Sequence, residues 1–228
     1  MKFFTKQNTI ATILFAIFGL LALQVPVAKL VAGEGASFTL YDFFAPIATA
    51  FIGIVPGLIS VFLTQLADFI IRGEAALSVI SIVRFLTPLA GALYFSYRGR
   101  ASLLIPIAAI IAFVIHPIGG TVWYFSMFWL VPIIAKLTAP NSLLLRGLGA
   151  TFTAHAVGGA VWIYALALPA EFWAGLVPVV ARERLLFGVG IAVLYLVFNN
   201  LLQFVVNRGW EKLRPLVNEQ YVLRPLRS

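Results

Sequence analysis

The chain contains no cysteine, which excludes disulfides, thiolate metal sites and a cysteine nucleophile and leaves its redox compartment open. Charge is scarce. Asp, Glu, Lys and Arg make up 11% of the 228 residues, and no long polar segment exists from which a second, soluble domain would fold. Nucleotide and hydrolase signatures are absent too: there is no G-x-x-x-x-G-K-[ST] phosphate loop, no H-E-x-x-H zinc helix and no G-x-S-x-G elbow. Gly188-Val-Gly190 lies in an apolar helical run with no strand before it, so it is no dinucleotide fingerprint. No enzymatic activity is expected, and ATP-driven work requires partner subunits.

What is abundant is apolar sequence. Hydrophobic residues reach 62% and the mean hydropathy is +1.02, more than one soluble core can hide. The expected fold is all-α: a polytopic integral membrane helix bundle of six to eight transmembrane helices, both termini cytoplasmic. Residues 1–207 form a single transmembrane domain and 208–228 a basic cytoplasmic tail. The net charge of +8 points to membrane orientation rather than nucleic acid, because the basic residues flank apolar spans. Eight crossings place Lys2, Lys6, Arg98, Arg100, Lys136, Arg146, Arg208, Lys212, Arg214, Arg224 and Arg227 in the cytoplasm, eleven of the 16 basic residues. Glu34, Asp42, Asp68, Glu74, Glu171 and Glu183 then fall toward the outside, for a multi-pass protein of the cell membrane.

In chain order, Lys2 and Lys6 precede an apolar run that reads as a signal-anchor, the first crossing extending from about Asn8 to Val31 with a kink or thinning at Pro26. Gly33 to Ser37 follow as a polar loop. Between Asp42 and Asp68 there is no charge, and Pro56-Gly57 divides the stretch into two short helices with Thr49, Gly53 and Gly57 as a close-packing stripe. A fourth helix, Ser78 to Ser96, carries Arg84. Ala101 to Ala135 would measure roughly 50 Å as one helix against a hydrocarbon core of about 30 Å, so it must break, at Pro117-Ile-Gly-Gly120. Gly147 to Leu168 is a further crossing and Leu185 to Val206 the last.

One motif occurs twice, His116-Pro-Ile-Gly-Gly-Thr-Val-Trp123 and His155-Ala-Val-Gly-Gly-Ala-Val-Trp162. It reads as a glycine packing seam, or as a device that sets two imidazoles opposite each other, where an ionisable group in lipid needs an interior partner or a water-filled cavity. Membrane histidines bind haem iron axially or relay protons. An alternative function is therefore a haem-binding electron carrier using His116 and His155; a non-catalytic scaffold or assembly factor is a third. Asp68 pairs with either Arg84 or, at i, i+4, with Arg72, and Gln65 lies one turn before it. Trp123, Trp129, Trp162 and Trp173 offer rings to a planar ligand or mark the headgroup belt. Glu171 to Arg184 reads as an outer loop, either a lid over a cavity or an interfacial stretch. Asn199, Asn200 and Gln203 read as interhelical hydrogen-bonding groups.

Phe38-Thr-Leu-Tyr-Asp42-Phe-Phe-Ala-Pro46, Gly53-Ile-Val-Pro-Gly57, Gln65-Leu-Ala-Asp68 and Arg84-Phe-Leu-Thr-Pro-Leu-Ala-Gly91 together resemble the substrate-binding S components of energy-coupling-factor vitamin transporters. In that family an outer loop with an acidic residue leads into a short helix, a Gly-Pro-type turn and a second short helix ending in Asp. Two features depart from it. Ala101 to Leu137 looks like an additional crossing beyond the family's six helices, and the first helix has Ala16, Gly19 and Ala22 in place of an Ala-x-x-x-Ala docking stripe. The resemblance implies capture of a small, vitamin-like molecule at the outer face, with a transmembrane coupling subunit and ATPase subunits as partners. The expected contacts are Asp42, Gln65, Asp68, Arg84, His116, Trp123, His155, Trp162, Glu171 and Arg182, and no metal is expected. Arg84 or Arg182 holds an anionic group, Asp68 balances Arg84, and the aromatic residues stack on a ring.

Overall fold

The computed structural model describes residues 6–29 and 37–223; the expectations for Lys2, Gly33, Glu34, Arg224 and Arg227 lie outside the described residues. Helix α1 (Lys6–Leu23) stops before Pro26 instead of running through it. An antiparallel hairpin follows, β1 (Pro26–Lys29) against β2 (Ser37–Thr39). Proline lacks the N–H that a continuing helix needs, and the flanking Val25 and Val27 suit an extended chain. The fold is thus mostly, not wholly, α-helical.

Helices α2 (Tyr41–Ile52) and α3 (Ile54–Ile71) part at Gly53, whose φ of 90° and ψ of 160° favour glycine. The break falls three residues earlier than Pro56, which sits in the first turn of α3, where helical N–H groups have no intrahelical partner anyway. The small-residue stripe is the contact of this pair: a Cβ added to Gly57 would lie 2.4 Å from Thr49 Cα.

Helix α4 (Val79–Ser96) starts from a capping box in which the Ser78 side chain accepts from the Ser81 N–H. The long uncharged stretch then folds back on itself as α5 (Leu104–Ile115), a short α6 (Pro117–Thr121), a 3-10 segment Trp123–Trp129 and α7 (Leu130–Thr138). The break is at His116, held extended (φ −70°, ψ 137°) by the proline after it. Helix α7 ends beside the start of α5: Lys136 Nζ donates to Tyr97 O (2.6 Å) and Ser102 Oγ (2.5 Å).

Helix α8 (Leu143–Ala165) packs along α4, and α9 (Ala170–Asn207) along α8. Glu171 to Arg184 therefore form the first turns of one 38-residue helix, not an outer loop. At about 1.5 Å per residue this rod is about 57 Å long.

Among the described residues, three helices are long and apolar enough to cross a membrane: Ile54–Ile71, Val79–Ser96 and Ala170–Asn207. Leu185, Val189, Val193, Val197 and Leu201 form an exposed apolar stripe down α9, and Ile10, Ile13, Leu14, Ile17 and Leu21 another on α1. Such rows suit a lipid environment, not water. The chain is a membrane-associated helix bundle.

The carboxyl ends of α4, α7 and α9 and the amino ends of α5 and α8 gather at one pole. Arg146 donates twice to Phe95 O (3.0 and 2.8 Å), and Arg98 donates to Pro140 O (3.1 Å) and Asn141 Oδ1 (3.0 Å). Cations on the last carbonyls of α4 complement the helix dipole. The tail is bound to the same pole. Asn199 donates to Asn218 O (3.0 Å) and accepts its N–H (2.8 Å); Asn200 likewise holds Tyr221 O (3.0 Å) and the Leu223 N–H (2.8 Å). These two amides grip the tail instead of a neighbouring helix, while Gln203 donates to Asn207 on its own helix.

Candidate functional site

Away from that pole, α4, α8 and the first half of α9 line a partly open cavity of about 170 Å³, with β2 and the start of α2 on its rim. A dry engineered cavity of about 150 Å³ takes up benzene, so this space holds one ring with a small substituent. Four of the sequence-predicted contacts line it: Asp42, Arg84, His155 and Trp162. Phe38, Phe125, Trp173, Glu183 and Arg184 line it as well.

Helix phase explains who faces inward. Trp173, Val180, Arg184, Phe187 and Gly188 are the buried residues of that part of α9, at spacings of seven, four and three that make one helical face. Arg184 is on this face and Arg182 is not: Arg182 and Glu171 are exposed to the outside. Reading the segment as a loop hid this phase.

The Arg184 guanidinium lies over the rings of Phe38 (4.6 Å) and Phe187 (4.4 Å), each contact contributing about 0.5–2 kcal/mol as it is desolvated. Phe38 belongs to β2, so the hairpin closes directly onto the arginine. Nη1 donates to Thr151 Oγ1 (3.3 Å), Nη2 stands 3.6 Å from Glu183, and Nε has no partner. Arg84 is held just as loosely, 3.7 Å from Glu74; Glu74 also accepts from Ser81 Oγ at the start of α4.

Asp68 makes its direct ion pair with Arg72 rather than with Arg84. Its carboxylate takes the Arg72 Nε–H at 2.7 Å along the same helix, the shorter-range of its two expected pairings. Asp68 and Gln65 border a void of only about 10 Å³ with Glu74 and Arg84, about enough for one water. Asp42 borders the main cavity but its Oδ2 is engaged by the Thr39 N–H (2.7 Å) and hydroxyl (3.5 Å), which fix the hairpin to the first turn of α2. A carboxylate there also suits the helix amino end.

The two copies of the repeated motif adopt different structures. His155 to Trp162 is straight helix, its glycines admitting neighbours: a Cβ on Gly159 would lie 2.6 Å from the Trp129 ring. His116 to Trp123 is the break between α5 and the 3-10 segment. His116 packs edge-on against Tyr164 (4.9 Å) and Trp123 is half exposed. His155 instead accepts the Trp129 Nε1–H on Nδ1 (3.0 Å), leaving the proton of the neutral imidazole on Nε2. His116 thus meets α8 at Tyr164, nine residues or about 13 Å along the helix from His155. Among the described residues no group of three or more His, Asp or Glu is arranged to hold a metal ion.

Four buried side-chain nitrogens among the described residues lack a hydrogen-bond partner: His116 Nδ1, Trp162 Nε1, Trp173 Nε1 and Arg184 Nε. Each such orphan costs about 1–3 kcal/mol. Three of the four belong to side chains that line the cavity. No protein-family model, curated protein or solved structure matches the chain.

Proposed function

We propose that the chain is a membrane transport protein that binds a small organic, vitamin-like solute from the outer face, as the substrate-specific subunit of an energy-coupled uptake system. The observation that carries this reading is the cavity, whose wall combines aromatic rings with two loosely paired guanidinium groups. Solute sites are commonly of this kind, mostly apolar with a few convergent polar groups that fix orientation. The basic pole, with Arg98, Lys136, Arg146 and the tail, belongs inside by the distribution of positive charge, which turns the cavity outward. No phosphate loop is present in the chain, so ATP hydrolysis falls to partner subunits, with a transmembrane coupling subunit between.

Native mass spectrometry of the chain, purified gently from its membrane, tests the proposal. A bound species of the mass of one substituted ring, together with co-purifying ATPases, is the expected result. A clean unliganded mass with other membrane partners would instead identify a scaffold.

A further inference from the structure

The unsatisfied groups around the cavity are all of one kind. Trp162 Nε1, Trp173 Nε1 and Arg184 Nε are donors without acceptors, and the Nε2–H of His155 adds a fourth donor, since Nδ1 is taken by Trp129. Arg84, whose nearest acid stands at 3.7 Å, brings further free N–H groups. The acceptors on the wall are partly engaged: Thr39 holds Asp42 Oδ2 by two groups, and the charge of Arg184 stands 3.6 Å from Glu183. A ligand that completes this wall must supply acceptors, and charged acceptors make the stronger bonds with guanidinium.

Shape narrows the class. The volume admits about one ring with a short substituent, and Phe38, Phe125, Trp162 and Trp173 are among the residues that line it. We infer that the solute is a small planar ring bearing a carboxylate, its charged end held by Arg184 with Trp173 or Trp162 and its ring between the aromatic side chains. This inference rests on the solute-binding reading above and specifies its ligand.

Three one-ring probes of equal size separate the possibilities: benzoate, its neutral isostere benzamide, and the cation benzylammonium. Saturation-transfer NMR titrations would use the full chain in nanodiscs, with empty nanodiscs as the partition control. Benzoate is expected to bind at least about tenfold more tightly than benzamide, the discrimination one charge-assisted bond gives, and benzylammonium not at all. Arg184→Gln abolishes the preference for benzoate. Trp173→Phe keeps an aromatic side chain but deletes one donor, narrowing the benzoate-to-benzamide ratio several-fold, while the loss of buried indole lowers the thermal unfolding midpoint. Benzamide or benzylammonium binding as well as benzoate would overturn the carboxylate class and leave solute binding intact. Binding of none of the three would also overturn it, and the native mass spectrum then decides whether the wider proposal falls too.

Discussion

Gly147 and Gly175 both lie in helices, yet their surroundings are opposite. A Cβ on Gly147 would stand 2.4 Å from Gly188 O, where α8 meets the backbone of α9, whereas one on Gly175 meets nothing within 4 Å. Gly147→Ala is therefore expected to destabilise by about 1–3 kcal/mol through overpacking. Gly175→Ala is expected to be neutral or to stabilise by up to about 1 kcal/mol, because glycine loses the most freedom in a helix; thermal unfolding in detergent distinguishes the two. At this scale the sequence was partly readable. The rarity of charge in apolar runs singled out Asp42, Arg84 and His155, all of which border the cavity. Choosing Arg182 over Arg184 failed for want of one fact, the helical phase through Ala181-Arg-Glu-Arg184. Trp173 and Val180 lie eleven and four residues before Arg184 and would have supplied that phase had the segment been read as helix.

Elements were legible where local chemistry dictates them and illegible where a distant partner does. The fourth helix starting at Ser78, the proline-induced break at His116 and the hinge between α2 and α3 are local, and only the hinge's register moved. The docking of the tail is not local: nothing near Asn199 announces that its amide will bind the backbone of Asn218. Asn199 is fully buried, and Asn199→Leu, which keeps the volume but removes both hydrogen bonds, is expected to release residues 209–223. Faster amide exchange there and faster trypsin cleavage at Lys212 and Arg214 would follow, with little change in α4 or α8. The tail also has a pH signature. Hydrogen bonds from Arg214 Nε (2.8 Å) and Nη2 (3.2 Å) hold the Glu211 carboxyl below its ordinary value of 4.5. A carboxylate depressed in the folded state adds stability above its unfolded pKa and loses it as pH falls through the folded one. The turn at Glu211–Leu216 is thus expected to keep its exchange rates, corrected for intrinsic pH dependence, from about pH 8 to 6 and to loosen only once the pH falls below the ordinary value of 4.5. Being exposed, the pair contributes little and less at high salt.

For the molecule as a whole, composition announced a membrane bundle. The cavity was not readable, because it arises from α4, α8 and α9 meeting, and a single chain of letters carries no distances between them. Its lack of cysteine makes the orientation directly measurable. Ala76→Cys and Glu171→Cys, at exposed positions on the cavity side, are expected to react with a membrane-impermeant maleimide on intact cells. Gln220→Cys, exposed in the docked tail, is expected to react only after the membrane is opened; labelling in the reverse order would invert the topology. The unbroken length of α9 has a mechanical consequence. The same rod carries Arg184 in the cavity wall and Asn199 in the grip on the tail, about 22 Å further on. Helix displacements of about 1–2 Å are common at shifting interfaces, and one of that size at Arg184, transmitted along a stiff lever, is enough to part hydrogen bonds of 2.8 and 3.0 Å at the far end.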